Sequence, residues 1–199
     1  DLFAPVAKLP RREGEAFKTG DLLVEFDCAG YLAQRKAAAA EHQALHLESQ
    51  NKKVLAKHNA VGRHELGIAQ AQVDGAAAKI EELDARIGQC KILAPFDGRV
   101  AELFVNQYEM PSAGNAIVSI INDNAFEVEL IVPSEWLTWL HVDRPFEFDV
   151  DETGSVLEAK VTRFGAEVDP VSQTIKLIGR FSAHPPRIKP GMSGAALFN

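Results

Sequence analysis

The chain changes from helix-forming to strand-forming composition at Lys91-Ile92-Leu93-Ala94-Pro95-Phe96-Asp97-Gly98-Arg99-Val100. A proline, whose φ is fixed, and a glycine, whose backbone is permissive, bracket a tight entry into the next strand. Beyond this stretch prolines recur, and short runs alternate apolar with polar residues, as in residues 126–132. The second half of the chain is therefore predicted to be mainly β-strand.

The strand pattern around this stretch has a second copy earlier in the chain. When Gly20 is aligned with Gly114, an offset of 94, similar residues coincide along both copies without a gap. Each copy consists of strand, turn and strand, and neither could bury its apolar face alone. We predict that the two pack as one pseudo-twofold flattened barrel. The coinciding pairs include Val6 with Val100, Ala7 with Ala101, Leu9 with Leu103, Glu15 with Glu109, Leu23 with Ile117 and Val24 with Val118.

The segment between the copies is predicted to be a helical hairpin. Residues 29–89 contain no proline and are rich in straight-chain helix formers. Asn59 and Gly62 allow a turn near the middle. Two stripes with alternating steps of three and four residues predict that an antiparallel pair of helices packs together. The stripes are Ala33, Ala37, Ala40, Ala44, Leu47, Asn51 and Val54 on the first helix, and Leu66, Ala69, Val73, Ala76, Ile80, Leu83 and Ile87 on the second.

Composition excludes some function classes. The chain has 21 Lys and Arg against 28 Asp and Glu, a formal net charge of −7, and no basic stripe, so nucleic acid is a poor partner. The longest apolar runs are a few residues, far short of the ~20 that a membrane span needs. Because the sequence opens without a charged and apolar leader pattern, we expect any targeting segment to precede it.

The order of half-motif, helical hairpin and half-motif resembles the periplasmic adaptor subunits, the HlyD-like membrane fusion proteins of tripartite efflux and secretion systems. The first half-motif of that family is similar to residues 13–27 and the second to residues 91–100. Further along, Val132-Pro133-Ser134-Glu135-Trp136-Leu137-Thr138-Trp139-Leu140 resembles the short helix of the family's β-barrel domain. Residues 188–192 resemble its barrel turn. The resemblance covers essentially the whole chain.

The resemblance implies a mainly β fold with an inserted α-helical hairpin. A lipoyl-like domain in two halves, 1–27 and 91–122, would flank the hairpin, 28–90, and a small antiparallel β-barrel, 123–199, would follow. It also implies a periplasmic, non-enzymatic adaptor without cofactor or metal, anchored to the inner membrane by an N-terminal segment outside this sequence. Its partners would be an inner-membrane transporter, an outer-membrane channel and further copies in a ring, a hexamer or a trimer of dimers.

The transporter class is left open between two alternatives. Efflux of small molecules with a proton-driven (RND) transporter comes first because the hairpin is short, and an ABC-linked secretion or efflux system is the alternative. Family members that dock on an outer-membrane channel often carry Arg, Leu and Ser near the hairpin tip. At those positions this sequence has Asn51, Leu55 and Gly62. Since only the leucine matches, we expect docking to use Leu55 together with Lys57, His58 and Arg63, or to involve a different channel.

The two cysteines flank the predicted hairpin. Cys28 follows the last strand of the first half-motif and Cys90 precedes the first strand of the second, so an antiparallel hairpin brings both to its base. A disulfide needs a separation of ~5.5 Å between their Cα atoms, and the periplasm that the resemblance implies is oxidising enough to form one. Two separate buried thiols are the alternative, because side-chain directions at the helix ends decide the geometry.

Rival functions find less support in the sequence. A lipoyl or biotinyl carrier would need a lysine in the turn after the first half-motif, where Cys28 stands. Gly191-Met192-Ser193-Gly194-Ala195 comes close to a nucleophile elbow but has alanine where glycine is required, and no helix follows. His42 and His46 could approach a metal from one helix face, yet no carboxylate or thiol stands near them. We therefore expect no catalytic, cofactor or metal site.

Overall fold

The computed structural model describes residues 3–123, 126–183 and 188–198. The predicted fold class, mainly β with an inserted α-helical hairpin, is confirmed. The chain divides into two compact units, residues 1–121 and 122–199. Its elements are β1 (Val6–Lys8), β2 (Ala16–Phe17), β3 (Leu22–Phe26), α1 (Ala29–Lys57), α2 (Arg63–Gly88), β4 (Lys91–Leu93), β5 (Gly98–Leu103), β6 (Val118–Ile121), β7 (Glu127–Pro133), a 3-10 helix (Ser134–Thr138), β8 (Pro145–Val150), β9 (Ser155–Asp169), β10 (Thr174–Phe181) and β11 (Gly194–Leu197).

In the first unit the two copies of the repeat exchange strands. One sheet has the order β1-β3-β4 and the other the order β2-β5-β6, with antiparallel neighbours throughout. β4 belongs to the second copy but pairs with β3, whereas β2 belongs to the first copy but pairs with β5. Neither copy completes its sheet alone. The hairpin begins after β3 and ends before β4, which are neighbouring strands of one sheet.

The repeat is also present in the backbone. Gly20 and Gly114 both have a left-handed conformation, with φ of 86° and 85°. The same offset aligns Gly14 with Tyr108, and these share it too, with φ of 80° and 70°. Their hydrogen bonds are equivalent, because the amide of Gly14 donates to Val100 O and that of Tyr108 to Val6 O, each at 2.8 Å. The two copies are therefore related by a pseudo-twofold axis, as the alignment predicts.

The packing inside the first unit explains why residue 98 is a glycine. Gly98 has no positive φ, so the turn does not require a glycine there. A Cβ at this position would overlap the carbonyl oxygen of Ile121 and lie 3.3 Å from the ring of Phe17. Close packing of β5 on β6 and on the core therefore requires the glycine. Apolar side chains from both sheets fill that core, among them Val6, Leu23, Val24 and Val100.

The second unit is a curled five-stranded antiparallel sheet in the order β11-β8-β9-β10-β7. The sequence predicts a small β-barrel, and the described strands form a half-barrel with β7 and β11 at its two edges. Trp136, from the 3-10 helix, packs against its buried face. Among the described residues no helix combines the length and apolar character that a membrane span requires. The core of the sheet includes Val128, Phe146, Val150, Val161 and Leu177.

Candidate functional site: the helical hairpin

The helix α2 packs on α1 through the stripe that its sequence predicts. Ala69, Val73 and Leu83 are buried, and the other four members of the stripe are partly buried. Residues on the remaining faces of α2 are mostly exposed. The alternating spacing of three and four keeps these side chains on one line along the helix, as in a coiled coil. The predicted packing face of α2 is therefore confirmed.

The stripe predicted for α1 is wrong. All seven of its residues are exposed, including Leu47 at 59% and Val54 at 53%. The cause lies in residues 37–40, four consecutive alanines that put small side chains on every face of the helix. Alanine spacing alone therefore cannot select the face that fits α2. The buried or partly buried line lies one or two positions away and comprises Tyr31, Arg35, Ala38, His42, Leu45, Ser49, Lys52 and Ala56.

Two polar contacts between the helices fix their antiparallel register. Towards the sheets, Arg35 donates from Nε and Nη2 to both carboxylate oxygens of Asp84. This bidentate hydrogen bond lowers the pKa of Asp84 and raises the pKa of Arg35. Nearer the turn, Lys53 Nζ donates to Gln70 Oε1 at 2.9 Å. The helices are thus tied at two levels in addition to their apolar contact.

A disulfide between Cys28 and Cys90 closes the root of the hairpin, which is the end next to the sheets. Cys28 is the N-cap residue of α1, and Cys90 follows Gln89, the C-cap residue of α2. Their Cα atoms are 6.1 Å apart, inside the range of about 4.4–6.8 Å that disulfides adopt. Both side chains are buried in the core of the first unit. The bond therefore joins the two ends of the hairpin inside the sheet domain.

Backbone hydrogen bonds attach the root to the sheets. The amide of Phe26, the last residue of β3, donates to the carbonyl of Cys90 at 2.8 Å. The next amide, of Asp27, donates to Pro5 O at 2.8 Å, and the Asp27 carboxylate accepts from the amide of Ala29 at 3.1 Å. Asp27 thereby accepts a hydrogen bond from an amide at the start of α1, where the side chain of the N-cap residue Cys28 makes no capping bond. The root is consequently continuous with β3.

A carboxylate beyond the ends of β3 and β4 that lie away from the root joins the two copies of the repeat. Asp97, from the second half-motif, accepts hydrogen bonds from the amide and the hydroxyl of Thr19 at 2.7 and 2.8 Å. Lys18 Nζ donates to its other oxygen at 3.0 Å. These bonds, led by the one from the Thr19 amide, lower the pKa of Asp97 to about 2. The residue stays ionised at neutral pH and holds the turn of one copy to the other.

Two carbonyl groups at the end of α1 hold the turn at the far end of the hairpin, and one of them, Ala56 O, accepts a hydrogen bond from the amide of Asn59 at 3.0 Å. The oxygen of Leu55 accepts hydrogen bonds from the amides of His58 and Ala60, each at 3.0 Å. Asn59 between them has a φ of 55°, which asparagine tolerates better than most residues. The turn therefore has a defined conformation set by its own backbone.

The four residues predicted to dock lie together at this end. Leu55 and Lys57 are in the last turn of α1, His58 is its C-cap residue, and Arg63 is the first residue of α2. All four are exposed. Although the chain has no predicted basic stripe, residues 51–64, called the tip below, contain four Lys and Arg and no Asp or Glu. A local charge count along the helical segment, rather than over the chain, would have found it.

The positions considered for rival functions have other roles. No lysine occupies the turn after β3, where Cys28 begins the hairpin. The hydroxyl of Ser193 donates to carboxylates of Asp151 and Glu152, each at 3.3 Å, and its amide lowers the pKa of Glu152. Within the described part of the chain no imidazole contacts Ser193. Its hydroxyl and amide thus hold a turn together.

The histidines of α1 form no recognisable metal centre. The rings of His42 and His46 lie 6.1 Å apart, and His46 Nε2 is 2.9 Å from Gln50 Nε2. In the described ranges there is no group of three His, Cys, Asp or Glu residues that could hold a metal ion.

Comparison with known proteins finds several relatives, although no protein-family model matches the chain. An uncharacterized protein of Haemophilus influenzae is 31% identical over 158 residues, covering 79% of this chain and 41% of the relative. The multidrug resistance protein MdtA of Escherichia coli is 27% identical over 194 residues, covering 86% and 47%. The multidrug resistance protein MexA of Pseudomonas aeruginosa is 26% identical over 125 residues, covering 62% and 33%. The chain thus spans less than half the length of these curated relatives.

Solved structures share the fold at lower identity. The membrane fusion protein Spr0693 of Streptococcus pneumoniae has a TM-score of 0.81 and 16% identity, over 98% of this chain and 89% of that chain. A MacA-MexA chimeric protein that contains the α-hairpin domain of Pseudomonas aeruginosa MexA has a TM-score of 0.79 and 20% identity, over 96% and 72%. The chain therefore has the fold of these membrane fusion and adaptor proteins, and its sequence is similar to those of the multidrug resistance proteins MdtA and MexA.

Proposed function

We propose that the chain is the periplasmic part of an adaptor that links an inner-membrane transporter to an outer-membrane channel for the efflux of small molecules. The observation that carries the proposal is the hairpin inserted between two interleaved half-motifs. Its helices have 29 and 26 residues, and so extend about 40 Å at ~1.5 Å per residue. A rod fastened at one end by a disulfide and two sheets suits bridging. The similarity to multidrug resistance proteins and to a membrane fusion protein supports this role.

Self-association into a ring is part of the same proposal. The seven residues from Ala33 to Val54 that the sequence predicted as a packing stripe are exposed but keep coiled-coil spacing. α2 already packs on the opposite side of α1, so a second hairpin is the natural partner for this face. We place it between neighbouring copies in a hexamer or a trimer of dimers.

The proposed location is the periplasm, with an inner-membrane anchor N-terminal to this sequence, and the proposed transporter is proton-driven because the hairpin is short. An ABC-linked system is the alternative. The two differ in energy source. Efflux that stops with a protonophore and continues with orthovanadate supports the first, and the reverse result supports the second.

The test of the bridging role removes the outer part of the hairpin. Deleting residues 45–75 from the full-length protein, with a short turn joining Ala44 to Ala76, leaves the root and the sheets intact. We expect ethidium efflux from cells carrying the transporter to fall to the level of a strain without the adaptor. Immunoblots and the thermal transition of the purified variant control for abundance and folding. Efflux at the wild-type rate would show that the hairpin is not the bridge.

A further inference from the structure

We infer that the tip recognises an acidic protein surface through cations that the fold leaves unpaired. This inference rests on the proposed function, in which the tip meets an outer-membrane channel, and adds the chemistry of that contact. Residues 51–64 contain four of the 21 Lys and Arg of the chain and none of its 28 Asp and Glu. The tip is therefore a basic patch on an acidic protein, and its field attracts negative charge that the rest of the chain repels.

Only two of the four cations are engaged within the hairpin. Lys52 pairs with Glu48 at 2.7 Å, and Lys53 donates to Gln70 at 2.9 Å. Lys57 and Arg63 are exposed, and neither has a carboxylate partner within the part of the chain that the structure describes. Because their charges are not neutralised internally, both side chains are available to a partner.

Arg63 stands where the helix itself disfavours a cation. It is the first residue of α2, and the unpaired amides of that turn give the helix end a partial positive charge. Its N-cap residue, Gly62, has no side chain to accept a hydrogen bond from them. A docked carboxylate would be attracted by the guanidinium and the amides together. Glu65, in the same turn, offsets part of this positive charge, and a docked carboxylate would offset more of it.

The apolar surroundings favour a protein over a membrane. Adsorption to anionic lipid uses clusters of about 4–8 basic residues, and the tip has three, Lys53, Lys57 and Arg63, whose charge no carboxylate of the described residues neutralises. Val54 and Leu55 are exposed beside them, at 53% and 39%. Apolar side chains bordered by polar and charged ones are typical of specific protein interfaces. The planar guanidinium of Arg63 suits bidentate pairing with Asp or Glu. We therefore expect carboxylates beside an apolar contact on the partner.

The test uses the full-length protein in cells with its own transporter and channel, and a photo-crosslinking amino acid at Ala60. We expect a protein adduct whose cross-linked segment contains Asp or Glu. The double variant Lys57→Glu/Arg63→Glu should lower the adduct about tenfold, because attraction becomes repulsion. The control Arg12→Glu/Lys36→Glu makes the same change in net charge at exposed cations outside the tip, and should leave the adduct unchanged.

A reciprocal exchange sharpens the result. Replacing the cross-linked Asp or Glu of the partner with Lys should restore the adduct of the Lys57→Glu/Arg63→Glu variant. An adduct that is insensitive to the reversal, a cross-linked segment without carboxylates, or a cross-link to phospholipid would each overturn the inference. The proposed function fails by a different result, which is wild-type ethidium efflux after deletion of residues 45–75. The two failures are therefore distinguishable.

Discussion

The root and the tip of the hairpin are built in opposite ways. At the root, a buried disulfide lies in an apolar core. The amides of Phe26, the last residue of β3, and of Asp27, the next residue, donate to backbone carbonyls. At the tip, Lys57 and Arg63 are exposed and lack carboxylate partners among the described residues. We infer from this difference that stability is concentrated where the hairpin joins the sheets. Residues at the free end contribute little to folding and can be selected for recognition.

The largest change in the free energy of unfolding is expected from a substitution at the root. The variant Cys28→Ala/Cys90→Ala opens a loop with a sequence separation of 62. On the chain-entropy account this lowers the free energy of unfolding of the first unit by about 4 kcal/mol. Urea denaturation of the oxidised protein, followed by far-UV circular dichroism, measures the loss. Thiol titration in denaturant without reductant should find no free thiol on exported protein.

The matched control is the tip variant Lys57→Ala/Arg63→Ala, which should change the free energy of unfolding by less than about 0.5 kcal/mol. Two titratable thiols per chain on exported protein would refute the disulfide. Equal urea midpoints for the cysteine variant and the wild type would refute the assignment of stability to the root.

A second prediction compares a buried leucine of α2 with an exposed leucine of α1, both between root and tip. Leu83 of α2 is 2% exposed, so Leu83→Ala should cost about 3 kcal/mol through lost burial and a cavity. Leu47 of α1 is 59% exposed, and Leu47→Ala should cost less than about 0.5 kcal/mol. Thermal and urea unfolding of both variants provide the measurement. A comparable loss of stability in Leu47→Ala would show that α1 packs on α2 through the stripe that the alanine spacing predicted.

This pair of variants also shows how far the sequence could predict the hairpin. In α2 the larger side chains Val73, Ile80 and Leu83 lie on one line, so periodicity defined the packing face correctly. In α1 the alanines at 37–40 offer several equivalent lines, and the face is chosen by α2 and by the Arg35–Asp84 contact. Tertiary contact of this kind leaves no trace in the local spacing of α1.

Prediction from the sequence is limited in the same way for the sheets and for the tip. The repeat was visible because Gly20 and Gly114 share a residue type, but Tyr108 shares only the backbone conformation of Gly14. The exchange of β2 and β4 depends on pairing between distant segments, which a strand pattern does not record. At the tip the sequence supplies the cations. Which of them are unpaired follows only from the positions of Glu48 and Gln70.

A smaller effect is expected from acid, through the Asp97 carboxylate, which joins the two copies of the repeat at the side of the sheets away from the root. The hydrogen bonds of Asp97 lower its pKa to about 2, below the ~3.9 of an unfolded chain. Its contribution to stability is therefore present above about pH 4 and is lost as the pH falls through about 2. Asp97→Asn should be less stable than the wild type at neutral pH.

The difference between Asp97→Asn and the wild type should shrink as the pH falls from about 4 towards 2, as followed by urea unfolding at each pH. Glu41→Gln, at an exposed carboxylate of α1, is the control and should show a smaller difference. A difference for Asp97→Asn that persists unchanged in acid would show that the lost bonds do not depend on the ionised carboxylate.

The smallest expected effect is an increase in the free energy of unfolding, from a substitution midway between root and tip. Ser49 is 1% exposed in the packing face of α1, and its hydroxyl has no hydrogen-bond partner in the part of the chain described. A buried unpaired hydroxyl is unfavourable, and serine has a lower helix propensity than alanine. Ser49→Ala should therefore raise the free energy of unfolding by about 1 kcal/mol.

The exposed neighbour Asn51 separates the two causes of that gain. Asn51→Ala improves helix propensity by about 0.5 kcal/mol without changing a buried group. Only the excess of Ser49→Ala over Asn51→Ala, measured by thermal unfolding, reports the buried hydroxyl. Equal gains would mean that water or a neighbouring carbonyl satisfies Ser49 in solution. Since neither substitution touches Lys57 or Arg63, cross-linking at the tip should stay at the wild-type level even as the middle of the hairpin becomes more stable.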